Sequence, residues 1–287
     1  MKREPGRLTP EKLEALYRLL QDDDSDVVAS LAASLKRMSE ADLRTILEFW
    51  QARSRSASET PAQPPAIALA LRLSAVDRFC ALMAQPVLPE LETGAFLISA
   101  WGRPDLPERR SQLKLDAYAS RMADTIPRRQ ARENPAASAR ELCRYLFEEI
   151  GFRGNEENYH DPDNSFLSAV IDRRRGIPIS LSVLTLLIAR RMTLNLLPIG
   201  APNRFLLAVR ENSGLTYIDC YGGGQFLNAA QARPLLGEVP EGFDPFPEVN
   251  SNEILARMLR NLHVNYRQAA DEARVLEVER MLSSVTV

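Results

Sequence analysis

Residues 151–192 read GFRGNEENYHDPDNSFLSAVIDRRRGIPISLSVLTLLIARRM. Gly154 and Asn155 suit one turn, and Asp161, Pro162, Asp163 and Asn164 suit a second. Ser165 or Asn164 can cap a short helix that buries Phe166, Leu167, Val170 and Ile171, with Gly176 ending it. Pro178 then stands where proline belongs in a helix, at the first turn of a long apolar segment. A loop, a short helix and an abrupt second helix ahead of a set of strands make this stretch the expected centre of the fold.

Upstream the pattern is helical. Residues 9–50 predict two or three short helices, the first with a partial cap at Thr9, since Lys12 occupies the place a capping glutamate would take. Leu13, Leu16, Tyr17 and Leu20 keep helical spacing, and an acidic turn over Asp22 to Asp26 precedes Val27, Val28, Leu31 and Leu35. Together with Leu43, Ile46, Leu47 and Trp50 this resembles one unit of a HEAT-type repeat, a weak signal because such units need neighbours. Residues 51–66, QARSRSASETPAQPPA, cannot form a core and read as a linker. Helical spacing resumes at Ile67, stops at Pro86 and Pro89, and returns over Leu91–Trp101, Leu113–Met122 and Ala137–Ile150.

Downstream the period changes. Leu194–Ile199 is a short apolar run, Arg204–Arg210 alternates, and a turn over residues 211–214 leads into Leu215–Cys220, which together predict a hairpin. Gly222 to Gly224 and then Phe226 and Leu227 predict a third strand, before helix returns over Glu253–Leu282. Helices first and a small antiparallel sheet second define an α+β fold. The expected organisation is a helical segment over 1–50, a linker over 51–66, a core with helical lead-in over 67–250 and a helical tail over 251–287.

A formal charge of −2 over 287 residues offers no basic excess for phosphates, so nucleic acid is not an expected partner. Arg173 to Arg175 and Arg109 with Arg110 read as solvated helix edges. The three cysteines, Cys80, Cys143 and Cys220, have no paired spacing, which argues for a reducing compartment. The first twelve residues lack the apolar core of a secretory signal, and no apolar run approaches the ~20 residues needed to cross a bilayer. The expectation is a cytoplasmic protein with no membrane association.

YLFEEIGFRGNEENYHDPDNSFLSAVIDRRRGIPISL, then APNRFLLAVR, YIDCYGGGQFL and EILARMLRNLHVNYRQAAD resemble, in order, the transglutaminase-like (papain-like) superfamily, specifically its bacterial SirB-type branch with a TPR-like helical tail. The resemblance covers about residues 90 to 285 and leaves the first fifty outside. It implies a cysteine at the start of the long helix, a histidine on the following strand and an aspartate on the next. The helix start and a charged imidazole would lower the thiol pKa, and the aspartate would fix the ring. RRGIP falls on the family's Arg-x-Gly-x-Cys, which places Pro178 at the nucleophile position, and a slide of two residues would place Ser180 there. The strand reads Pro202-Asn203-Arg204-Phe205 where the branch reads Pro-Gly-His-Phe, so Arg204 replaces the histidine. A guanidinium stays protonated and cannot act as a base. Asp219 alone survives, and Arg204 with Asp219 is expected to form an ion pair.

Other candidates read more simply. Strand alternation points Cys220 away from the Asp219 face as a buried, inert thiol; Cys143 and Cys80 read as helix core. His160 reads as a loop packing or hydrogen-bonding residue, and His263 as exposed. Asp161, Asp163, Asn164 and Ser165 lack the glycine and glutamate of an EF-hand, and the histidines and cysteines lack zinc spacing. Gly222 to Gly224 lack the strand-to-helix setting of a phosphate loop. No metal or cofactor is therefore expected. The reading is a catalytically degenerate domain that binds a protein or small-molecule ligand in the former groove around Asn158, Tyr159, His160, Arg204 and Asp219. Two alternatives stand beside it: an active hydrolase or acyltransferase using Ser180 or a repositioned cysteine with His160, and a helical adaptor working through its N-terminal helices.

Overall fold

The computed structural model describes residues 8–54, 63–211, 214–239 and 241–286. It divides into two compact units, residues 1–77 and 78–287, with the division falling inside one helix.

The first unit contains α1 (Pro10–Leu19), α2 (Ser25–Leu35), α3 (Glu40–Ser54) and the start of α4 (Pro65–Met83). Thr9 caps α1 through a bond from the Lys12 N–H, and Asp24 in the acidic turn caps α2. Leu20, Ala32, Leu35, Ile46 and Ile67 are buried together, and Tyr17 packs its ring on Phe49 and Trp50. Helix α3 enters the expected linker as far as Ser54 and α4 begins at Pro65, leaving 55–62 outside the described residues.

The second unit opens with α5 (Leu91–Gly102), α6 (Glu108–Thr125), the short α7 (Arg128–Glu133) and α8 (Pro135–Cys143), which runs on into a π-helical turn at Arg144–Glu149. Then follow strand β1 (Arg153–Gly154), a 3-10 turn (Pro162–Asn164), α9 (Leu167–Arg173), strand β2 (Arg175–Gly176) and α10 (Pro178–Arg191). Every α10 residue from Pro178 to Ala189 is buried, and the helix packs against α6, α8, α9 and the sheet. A helix buried on every side is the core element a one-faced amphipathic helix cannot be. Strands β3 (Leu197–Ile199), β4 (Leu206–Glu211), β5 (Gly214–Asp219) and β6 (Gln225–Leu227) form one antiparallel sheet in that order. The pairs Leu207 with Ile218 and Ile218 with Phe226 set the register; the hairpin residues Asn212 and Ser213 lie outside the described ones. The chain ends through α11 (Ala229–Ala232), α12 (Ser251–Gln268) and α13 (Glu272–Ser284). Helices α12 and α13 pair as a hairpin that α5 receives: Trp101 meets Tyr266 edge-on, and its indole donates to Glu277 at 2.7 Å.

The α+β architecture expected from the sequence is the one observed, with several local differences. Leu206 to Val209 are all buried, so β4 does not alternate; helices cover one face of the sheet and a smaller cluster with Leu236 the other. The short helix α9 starts one residue after Phe166, not at Asn164 or Ser165, because those two belong to the preceding 3-10 turn. Arg174, at φ +56°, ends it in the left-handed conformation, and Gly176 serves elsewhere. A Cβ on Gly176 would stand 2.7 Å from the Ser180 hydroxyl, so this glycine lets β2 lie against the start of α10.

Gly102 makes a similar close approach to the Phe166 ring, 2.0 Å from where its Cβ would stand. The Gly102→Ala protein is expected to lose about 1–3 kcal/mol through overpacking. Urea denaturation measures this, and an unchanged midpoint would show that the α5–α9 contact is loose.

Candidate functional site

The start of α10 has no side-chain cap. Its replacement comes from inside the helix: Ser180 Oγ accepts the Ile177 N–H at 3.0 Å and lies 2.6 Å from the Asn164 carbonyl, to which it donates. That carbonyl ends a loop held by two buried asparagines. Asn155 Nδ2 donates to Asn164 Oδ1 at 2.9 Å, and Asn164 Nδ2 donates to the Asn158 and Tyr159 carbonyls. The Asn155 N–H closes on the Gly176 carbonyl, tying the loop to β2. Ser180 is fully buried, and its hydroxyl is occupied by these bonds.

The loop carboxylates serve the same end. Asp161 and Asp163 both bind Arg173, at 2.7 and 3.0 Å, and Asp163 also binds Arg103 at 2.6 Å. Arg174 donates to the Ile150 carbonyl and Arg175 faces Glu157. The arginine run expected to be a solvated edge is therefore a clamp on the loop. No sequence spacing announces this, because the carboxylates lie about ten residues away across a turn.

Arg204 and Asp219 meet as expected. Arg204 Nη2 lies 2.8 Å from Asp219 Oδ2, with the Asp219 side chain 3 % exposed. A tight turn places the arginine, with Asn203 at φ +55° and the Arg204 N–H on the Pro202 carbonyl. The guanidinium stacks over Tyr221 at 4.6 Å, Tyr221 meets Tyr159 edge-on, and the Tyr221 N–H returns to Asp219 Oδ1. Arg204 Nε is buried without a partner.

A cavity of about 240 Å³ opens beside this pair, lined by Tyr159, Pro178, Ile179, Asn203, Phe205, Arg257 and Asn261. Of the expected groove residues only Tyr159 lines it; Arg204 and Asp219 are linked to it through Tyr221 and Tyr159. His160 is exposed and its Nδ1 faces Asn265 at 3.3 Å, while Ser180 points to the Asn164 carbonyl, so no bond joins the two. Arg257 and Asn261, one turn apart on α12, were missed. Their spacing on an otherwise ordinary amphipathic helix carries no signal of a cavity.

The thiols lie elsewhere. Cys220 is buried with Sγ 3.6 Å from the Thr185 hydroxyl, on the α10 side and away from Arg204, and burial pushes its pKa up to about 12. Burial also raises the Cys143 thiol well above its ordinary range. Cys80 is only partly buried, and His263 is not exposed: it is partly covered and faces Glu279 at 2.9 Å. Among the described residues no three His, Cys, Asp or Glu side chains converge as metal ligands, and no helix is long and apolar enough to cross a membrane.

A helix start at Pro178, an arginine entering one strand and an aspartate ending the next lie around one buried helix, the arrangement of a transglutaminase-like core. The chain belongs to the transglutaminase-like superfamily, whose family model matches residues 109–260. It is 39% identical over 134 residues to a UPF0162 protein of Xylella fastidiosa, covering 43% of this chain and 47% of that one. A mouse protein, F-box only protein 21, is 32% identical over 138 residues, covering 45% of this chain and 22% of its own. A Pseudomonas aeruginosa UPF0162 protein matches over 196 residues at 26% identity, 66% of this chain and 69% of that one. The chain thus spans about half or less of the length of the first two of these relatives. No solved structure matches it.

Two measurements test this arrangement. Replacing Arg204 with Leu leaves the Asp219 carboxylate buried without its cation, at an expected cost of about 1–3 kcal/mol; the double replacement with Asp219→Leu should recover part of it, and additive losses would show that the pair is uncoupled. Because the Cys220 pKa is raised, its stabilising effect is complete below the unfolded thiol value of about 8.5 and is lost as pH climbs toward 12. Iodoacetamide labelling at Cys220, read by mass spectrometry, should therefore be slow at pH 7 and rise continuously with pH; a plateau near neutrality would contradict the burial.

Proposed function

We propose that this chain is a catalytically degenerate transglutaminase-like domain of the SirB-type branch, working in the cytoplasm as a binding or regulatory module. The observation that carries the reading is the 2.8 Å ion pair between Arg204 and the nearly inaccessible Asp219. In a thiol-dependent site the residue at the strand entry must take and return a proton, and a guanidinium paired to a carboxylate does neither. Pro178 offers no nucleophile at the helix start, and the Ser180 hydroxyl already donates to a carbonyl. An active serine or cysteine hydrolase would need a nucleophile within reach of a base, a pairing that none of these contacts supports. The three free cysteines fit a reducing compartment.

The reading predicts that the old geometry can be restored. In the Pro178→Cys/Arg204→His double variant the new thiol sits at a helix start beside an imidazole that Asp219 can orient. A thiol pKa falling from about 8.5 to below about 7.5 would raise its thiolate fraction at pH 7 roughly eightfold. Site-resolved iodoacetamide labelling should show the introduced thiol reacting faster than the three native cysteines. An ordinary pH profile for the introduced thiol would mean that Pro178 and Arg204 do not occupy triad positions. Wild-type protein that accumulates an acyl adduct with p-nitrophenyl acetate would remove the non-catalytic reading outright.

A further inference from the structure

The Arg257 guanidinium differs from the other half-buried arginines of its unit. Arg103, Arg191 and Arg204 each bind a carboxylate at 2.6–2.8 Å. Arg257 binds none: its Nη1 donates to the Gly200 and Ala201 carbonyls at 3.1 and 2.6 Å, and its face lies 5.6 Å from the Phe205 ring centre. Nε and Nη2, the donors along one edge of the fork, have no protein acceptor among the described residues. Burial lowers its pKa, a sign that water no longer fully compensates the charge, yet arginine remains a cation at any physiological pH.

The cavity beside it suits a negative guest. None of its described lining residues is acidic. Tyr159 and Asn261 line it, and neither side chain makes a protein hydrogen bond among the described residues. Pro178 and Ile179 place the first turn of α10 at the cavity, where the helix dipole favours negative charge and Ile179, Pro178 having no N–H, is the lining residue that carries a backbone donor. Nη1 fixes the guanidinium to the backbone, so its open edge is held in place ahead of binding.

We infer that this cavity is an oxyanion-binding site, in which Arg257 grips a carboxylate or phosphate group of the ligand through Nε and Nη2, with Tyr159, Asn261 and the start of α10 completing the cradle. Bidentate pairing of this kind is the strong, planar mode of arginine recognition. The inference rests on the non-catalytic binding reading and supplies the ligand chemistry for it. The neighbouring Arg204 is already neutralised by Asp219, which leaves Arg257 as the cation that selects.

Isothermal titration calorimetry on the full chain with sodium glutarate and with inorganic phosphate, at constant ionic strength, tests it. Saturable binding of at least one is expected, and which one identifies the group recognised. Asn261→Asp puts a like charge into the cavity with almost no change in shape and should weaken binding at least tenfold, as should Arg257→Gln. If the glutamine variant does not fold, because it also loses the Gly200 and Ala201 bonds, Asn261→Asp alone decides. No saturable binding of either anion overturns the inference, as does binding that Asn261→Asp leaves unchanged. The p-nitrophenyl acetate assay run alongside separates the two readings: absent anion binding without turnover removes only the cavity assignment, whereas turnover removes the non-catalytic reading.

Discussion

A fully buried helix needs a defined start, and α10 obtains one without any capping side chain ahead of it. Ser180, in its own first turn, turns back to accept the Ile177 N–H and to hold the Asn164 carbonyl. Gly176 has to be glycine for that hydroxyl to fit, and Asn155 and Asn164 hold the loop that supplies the carbonyl. Buried polar groups of this kind are favourable only when each finds its partner, so the network fixes one arrangement of loop, short helix and core helix. The sheet, the Arg204–Asp219 pair and the cavity are all placed relative to that helix start.

The same helix start organises the charged and polar groups around it. Proline at the first helical position stabilises the helix start. Arg204 forms an ion pair with Asp219, with Tyr221 stacked on the cation. Burying Asp219 alone would be costly, and the arginine satisfies it. In the adjacent cavity Arg257 pairs with no carboxylate among the described residues.

The charged residues near the site show how local sequence and tertiary pairing differ. Asp161, Asp163 and the arginines at 173–175 look like ordinary turn and surface residues, and turn chemistry does account for Asp161, which accepts the Asp163 N–H. Their further role as a clamp joins the loop to Arg173 at the end of α9, and Arg174 then ends that helix in a left-handed conformation that sequence preferences assign to glycine.

By itself the sequence determined the α+β order of elements, the apolar helix beginning at Pro178, the hairpin of β4 and β5, and the pairing of Arg204 with Asp219 on neighbouring strands. These are written in short-range periodicity, in proline's fixed backbone angle and in motif spacing, all local properties of the chain. Only the tertiary structure decided that β1 pairs with β2, that Ser180 is a structural hydroxyl, and that Arg257 and Asn261 of α12 close a cavity against Tyr159 and the start of α10. The two-residue strands are too short to carry a period. Which side chain satisfies a buried carbonyl, or faces a cavity instead of solvent, depends on segments distant in sequence that folding brings together.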